Sequence, residues 1–216
     1  MQDFITVTGM VLSQTPIGEY DRRICILTKE RGKISAFAKG ARRPGSRFMA
    51  ATGPFSFGQF KLYEGKNAYN VAEVNISQYF EELRTDYISA YYGMYFLEVA
   101  DYYTRENNDE REMLKLIYQS MRALISPSLP NPLVKCIYEL KALAVNGEYP
   151  GVPTDKKLHE STVYTLQFIE KASVEKLYTF LVKEEVLKEL ADVAALYRRR
   201  FMDRQFKSLE ILESLC

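Results

Sequence analysis

The chain is predicted to be α+β, with a five-stranded barrel of the oligonucleotide-binding (OB) type at the N-terminus and an all-helical domain after it. Two observations predict this. Five short runs rich in β-branched and aromatic residues, punctuated by glycine and proline, fill residues 1–78. From residue 79 onward apolar residues recur at helical spacing instead. A small sheet removes its exposed edges by closing on itself, and the OB barrel is the usual closure for five strands of this length. The domain boundary is therefore placed at residue 79, giving domains 1–78 and 79–216.

Strands are expected over residues 4–13, 23–28, 33–38, 55–63 and 68–76, all paired antiparallel, with Thr15-Pro16, Arg31-Gly32 and Glu64-Gly65 as turn signals. Helices are expected over 80–103, 109–125, 132–145, 162–171 and from 174 onward. In the second of these, Leu114, Ile117, Met121 and Leu124 form one apolar stripe, leaving Glu110, Arg111, Lys115 and Arg122 for solvent. The third opens with Pro132 after Asn131 and stops at Gly147, residues favoured at the respective ends. Short connectors such as 126–131 imply antiparallel neighbours in a bundle. There is no internal repeat.

An apolar content of 47% is ample for packed cores and argues against a disordered chain. The N-terminus, Met-Gln-Asp-Phe-Ile, has no basic segment followed by an apolar run, and no run of about 18 apolar residues occurs, so a soluble cytoplasmic protein away from membranes is expected. Cys25, Cys136 and Cys216 are far apart and lack a Cys-x-x-Cys or a histidine cluster, so neither a disulfide framework nor a metal site is expected.

Charge is distributed unevenly. The formal net charge is only +1, yet residues 20–47 carry nine Lys or Arg (Arg22, Arg23, Lys29, Arg31, Lys33, Lys39, Arg42, Arg43 and Arg47) against Asp21 and Glu30. Such a patch fits a polyanion, and a basic lobe on a mildly acidic body is the footprint of a nucleic-acid binder. The segment from Lys39 to Arg47 interleaves four cations with Gly40, Pro44, Gly45 and Ser46. Small residues let backbone approach a phosphate, and guanidinium groups offer forked donors matched to its oxygens. It lacks Walker-type spacing, so nucleotide hydrolysis has no support. Candidate DNA contacts are thus Arg22, Arg23, Lys33, Lys39, Arg42, Arg43 and Arg47. Arg200, Arg204 and Lys207, placed on one helical face, make a candidate second patch.

Aromatics on a barrel face can stack bases, and Phe37, Phe57, Phe60, Tyr63 and Tyr69 are candidates, although alternation sends some of them inward. The helix holding Tyr87, Tyr91, Tyr92, Tyr95, Tyr102 and Tyr103 is apolar almost all round and reads as a central helix of the bundle. No catalytic constellation emerges. His159 is the sole histidine and stands in a polar stretch; the acidic pairs Glu81-Glu82, Asp109-Glu110 and Glu184-Glu185 fall at helix starts or on exposed faces, where acids complement the helix dipole. No catalytic residue and no cofactor are therefore assigned.

Gly18-Glu19-Tyr20-Asp21, Leu27-Thr28-Lys29-Glu30-Arg31-Gly32-Lys33 and Ala38-Lys39-Gly40-Ala41-Arg42-Arg43-Pro44, with Tyr138-Glu139-Leu140-Lys141 and Phe206-Lys207-Ser208-Leu209 further on, resemble the RecO family of bacterial recombination mediators over essentially the whole chain. That resemblance implies an OB domain joined to helices. It implies binding to single- and double-stranded DNA, annealing of complementary strands, and loading of RecA onto strands coated by single-stranded DNA-binding protein (SSB), with RecR as partner and no nucleoside triphosphate. It also implies work in the bacterial cytoplasm at the nucleoid, and docking of the SSB C-terminal tail, for which Leu133, Lys135, Ile137 and Lys141 are candidates. Many members carry a four-cysteine zinc module after the segment matching 138–147; here 148–160 holds no cysteine, as in members without the module.

Two other classes stay open: an OB-fold RNA-binding protein, separated by competition between RNA and single-stranded DNA, and a non-catalytic protein adaptor, separated by lack of DNA affinity at moderate salt. A metal-dependent nuclease ranks below them, because the first domain has six acids and no clustered pair.

Overall fold

A computed structural model describes residues 3–66 and 68–215. Cys216 lies outside the described residues. Strands β1 (Phe4–Ile17), β2 (Asp21–Thr28), β3 (Gly32–Ala38), β4 (Phe57–Glu64) and β5 (Tyr69–Gln78) form a closed barrel in the order β1-β2-β3-β5-β4. The five expected strands and the closure are present. One pairing differs from expectation: β3 and β5 run parallel, with Ala36 opposite Tyr69 and Phe37 opposite Asn70. Between β3 and β4 the chain makes a single helical turn, α1 (Phe48–Ala51), before β4 enters the barrel between β1 and β5.

Alternation builds the barrel core. Along β3 every second residue from Gly32 is buried, which sends Ile34, Ala36 and Ala38 inward and Lys33, Ser35 and Phe37 outward. Val7, Ile24, Ile26, Phe60 and Leu62 meet them in the interior, with Phe48 of α1 packed against the cluster. Phe60 is fully buried, and truncating such a ring to alanine costs about 3–5 kcal/mol.

Strand β1 is longer than its hydrophobic run predicts. After an irregularity at Leu12 it continues as a ribbon, Ser13 to Ile17, paired with β2 alone. Thr15-Pro16 is thus strand and not turn. The ribbon has an open edge, where a residue without an N–H costs no ladder bond. The reversal itself falls at Gly18, Glu19 and Tyr20.

The helices are α2 (Glu82–Thr85), α3 (Tyr87–Tyr103), α4 (Arg111–Leu124), α5 (Asn131–Val145), α6 (Glu160–Lys171), α7 (Glu184–Phe201) and α8 (Lys207–Leu215), with a 3-10 turn at Val174–Lys176. The helix expected over 80–103 is broken at Asp86, whose carboxylate accepts the Ile88 and Ser89 amides at 3.2 and 3.3 Å and so opens a fresh helix. The apolar stripe of α4 is buried as expected, but Glu110 is buried too, accepting the Arg105 amide at 3.0 Å. Pro132 sits in the first turn of α5, and Gly147 takes φ 73° just past its end. Among the described residues no helix is long and apolar enough to cross a membrane.

The chain divides into two compact units. One holds the residues up to Thr85 together with Leu97–Leu114; the other holds Asp86–Phe96 and everything from Lys115 onward. In the first, residues 105–108 form a strap against the β2–β3 turn: Lys33 donates to the Arg105 carbonyl at 2.9 Å and Asn107 to that of Arg31 at 3.0 Å. In the second, α5, α6 and α7 pack together.

Candidate nucleic-acid interface

Hairpin geometry sorts the basic segment into two ends of the barrel. Arg22 and Arg23 open β2, whereas Lys29 and Arg31 lie at its far turn, roughly 20 Å away at about 3.3 Å per residue. The nine cations that are contiguous in sequence therefore do not form one patch. Residues 39–47 return to the β1–β2 end, where they join Arg22 and Arg23.

That loop is a succession of hydrogen-bonded turns. Arg43 donates to the Gly40 carbonyl at 3.1 Å, Ser46 to that of Arg43 at 3.0 Å, and Met49 to that of Ser46 at 3.0 Å. It is also pinned to the β1–β2 turn. The Gly40 amide donates to Asp21 Oδ1 at 2.7 Å and the Arg42 amide to the Tyr20 carbonyl at 2.8 Å. Gly40 takes φ 67°, a conformation that a side chain would strain.

The cations at this end fall into distinct roles. Arg42 donates through Nη1 to the Gly18 carbonyl at 3.2 Å, and Arg47 through Nη2 to the Ala72 carbonyl at 2.9 Å. Each guanidinium is held in place while the residue stays exposed. Arg43 lies over the Tyr20 ring, 5.1 Å from its centre, and Lys39 is exposed. By contrast, Arg22 donates to the Met49 carbonyl at 2.6 Å and to Thr52 Oγ1 at 2.9 Å, tying α1 to the barrel. Burial, and then the charge of Arg42, push its pKa down. Arg23 is exposed and bonds Ser35 Oγ at 3.1 Å.

Lys33, expected to contact DNA, is half-buried away from this end. Its ammonium group lies 3.0 Å from Asp101 Oδ1 and donates to the Asp101 carbonyl at 2.6 Å. It therefore serves as a cross-link within the barrel unit. Among the aromatics, Phe60 is core and Tyr69 packs against the core. Phe37, Phe57 and Tyr63 point outward and are half-buried, with Tyr63 edge-on to the exposed Phe4.

The two sites expected in the helical region take other forms. Arg200, Arg204 and Lys207 share no helical face, because α7 ends at Phe201 and α8 begins at Lys207. Met202 and Phe206 are both buried, and turning them inward breaks the helix between. Leu133 and Ile137 are interior; Lys141 donates to the Glu170 and Ala172 carbonyls at 2.8 and 2.7 Å, and Lys135 pairs with Glu139 at 3.1 Å. His159 is exposed and its Nδ1 bonds Glu189 at 2.7 Å. Hydrogen bonds from Thr162 first, then from His159, hold the Glu189 carboxyl below its usual range.

Tyr20, the ring beneath Arg43, was not among the candidate aromatics read from the sequence. The signal was present: Gly18 before it marks a turn, and a tyrosine at a turn tip next to a basic loop has little core to enter.

Two family models match the chain in succession. Residues 1–80 match the family model described as Recombination protein O N terminal, and residues 84–154 match Recombination protein O C terminal. The chain is similar to proteins named DNA repair protein RecO. Identity is 26% to that of Acetivibrio thermocellus, covering 99% of this chain and 98% of the relative. It is 27% to that of Clostridium novyi, covering 96% and 93%. It is 32% to that of Alkaliphilus metalliredigens, covering 77% and 68%.

Proposed function

The chain belongs to the RecO family of DNA repair proteins, and from that premise we propose that it acts as a non-catalytic recombination mediator. It binds single- and double-stranded DNA on the basic rim of the barrel, anneals complementary strands, and with RecR helps RecA onto SSB-coated strands, engaging the SSB C-terminal tail. Its place of action is the bacterial cytoplasm, at the nucleoid. The proposed DNA contacts are Lys39, Arg42, Arg43 and Arg47 with Arg23 beside them. Arg22 and Lys33 hold the scaffold.

The observation that carries this reading is the pair Arg42 and Arg47, each tethered by one nitrogen to a backbone carbonyl, that of Gly18 in the β1–β2 turn and that of Ala72 in β5. Tethering lowers the entropy still to be lost when a phosphate is gripped. Cations on one rim neutralise the phosphates of two strands at once and reduce their mutual repulsion. Complementary bases then find one another without any nucleotide hydrolysis. Phosphate contacts carry no sequence information, which suits a protein that must act anywhere in a genome.

The closest test is annealing of complementary oligonucleotides with and without SSB and without ATP. Acceleration in both arms is expected. No acceleration would overturn the reading. RNA outcompeting single-stranded DNA would favour an RNA-binding role, and no DNA affinity at moderate salt would favour a protein adaptor. The domain assignment, 1–78 and 79–216, is likewise a proposal. Limited proteolysis releasing a fragment that ends near residue 79 supports it; retention of residues 97–114 on the barrel fragment would move the boundary.

A further inference from the structure

We propose that Arg43, positioned over the Tyr20 ring, forms with it a stacking plate for an unpaired base, so that the rim takes single strands by their bases as well as by their phosphates. The inference rests on the DNA-binding reading above and adds to it the class of strand preferred. Three observations support it.

The three loop arginines are not equivalent. Arg42 and Arg47 are each committed to a backbone carbonyl, whereas the guanidinium carbon of Arg43 lies over the Tyr20 ring, 5.1 Å from its centre. Both halves of the plate are positioned by backbone. Tyr20 sits at the β1–β2 reversal with its carbonyl held by the Arg42 amide. The stem of Arg43 passes over Gly40, where a Cβ would lie 3.5 Å from its Cδ. The plate is also presented to solvent: Tyr20 is 40% exposed and Arg43 is exposed. The neighbouring stack of Arg47 on Phe48, at 4.9 Å, is different in kind, because Phe48 packs against the barrel core.

A planar guanidinium has two faces, and one resting on an aromatic ring leaves the other for a second π-system. Nucleic-acid bases stack on arginine planes as they do on aromatic rings, and any base will serve. The bases of a duplex are already stacked on one another, so the plate engages only unpaired ones. Flanking phosphates fall to Lys39, Arg42 and Arg47 and to the edge nitrogens of Arg43 itself, which its stacking face leaves free. A strand held this way keeps its neighbouring bases available for pairing, as annealing requires.

The test compares two labelled strands of equal length and charge, an oligothymidylate and a fully abasic strand, by fluorescence anisotropy. The parent protein is expected to bind the oligothymidylate about tenfold more tightly. Tyr20→Ala and Arg43→Lys should each bring that ratio near one, Tyr20→Ala should also leave affinity for the abasic strand within about twofold, and Tyr20→Phe should preserve the ratio. Retained abasic binding also shows that the variants are folded. Equal binding of both strands by the parent, with strong salt dependence, would overturn the plate and leave the DNA-binding reading standing. A preference that survives in both Tyr20→Ala and Arg43→Lys would do the same. Binding to neither strand would overturn both.

Discussion

Arg198 donates to Glu139 Oε1 at 2.8 Å in the interior of the helical unit, while its other terminal nitrogen reaches Glu213 at 3.2 Å. The same Glu139 oxygen accepts the Tyr95 hydroxyl at 2.6 Å and lies 3.1 Å from Lys135 Nζ. One carboxylate oxygen thus joins α3, α5 and α7, and Arg198 extends the set to α8. Burial, and then the Glu139 charge, push the Tyr95 phenol well above its usual range, so it remains a donor.

Arg198→Met should therefore destabilise the protein by about 3 kcal/mol, since it leaves a buried carboxylate short of its best partner. Glu139→Gln combined with Arg198→Met should recover part of the loss. Urea denaturation of the three proteins checks this; equal stability of the parent and Arg198→Met would refute it.

Gly32→Ala should be costly for a different reason. Gly32 takes φ 64°, and a Cβ there would lie 2.3 Å from the Arg105 carbonyl oxygen and 2.9 Å from that of Asn108. Both the turn and the strap would have to shift. A loss of about 2–4 kcal/mol is expected, from αL strain plus displaced backbone pairing. Gly45→Ala, with φ 74° but open space around it, should lose only about 1 kcal/mol. Similar losses for the two variants in denaturant titrations would show that the strap does not hold the turn.

The thiols give a pH-dependent expectation. Burial first, then the nearby Asp101, raise Cys25 to about 11; burial and then Glu139 raise Cys136 to about 12. Both thiols stay protonated in the folded protein at neutral pH, and thiolate is the form that alkylates or binds metal. Iodoacetamide at pH 8 should label neither position until urea is added, and purified protein should hold no stoichiometric zinc by elemental analysis. The raised pKa values also set a sign for stability. The thiol contribution is fully present below the unfolded value of 9.0 and is lost as pH climbs from there through about 11 to 12. Labelling of either position in the native state would contradict this account.

Much of the barrel was readable because its information is local. The alternation in β3 and the turn at Gly32 need no distant partner to be recognised. The break at Asp86 was equally local but hidden, since a capping aspartate inside an apolar run looks like a tolerated polar residue. The four-residue α1 is shorter than the window over which helical periodicity can be seen. At the candidate site, residue types could be read and partners could not. Lys33 meets Asp101 across 68 residues, and Arg42 and Arg47 find their carbonyls 24 and 25 residues away, separations over which composition says nothing about contact. The same limit applies to Leu133 and Ile137, whose apolar spacing fits an exposed groove as well as a core.

The basic rim makes the sharpest prediction. Four cations, Lys39, Arg42, Arg43 and Arg47, are exposed at one end of the barrel. If they engage about four phosphates of a single strand, the log–log dependence of affinity on salt should have a slope near −3, at roughly −0.7 per contact. Replacing Arg42, Arg43 and Arg47 together by alanine should flatten the slope by about 2 and weaken binding to all sequences alike, because neither phosphate contact nor stacking reads base identity. Annealing should slow in parallel. The thermal midpoint should move by only about 2 °C, since the carbonyl bonds of Arg42 and Arg47 lie at the surface, where water replaces them at little cost. Binding is measured by anisotropy across a salt series and folding by circular dichroism on the same samples. A folded triple variant that keeps the parent slope would show that strands are held elsewhere on the chain.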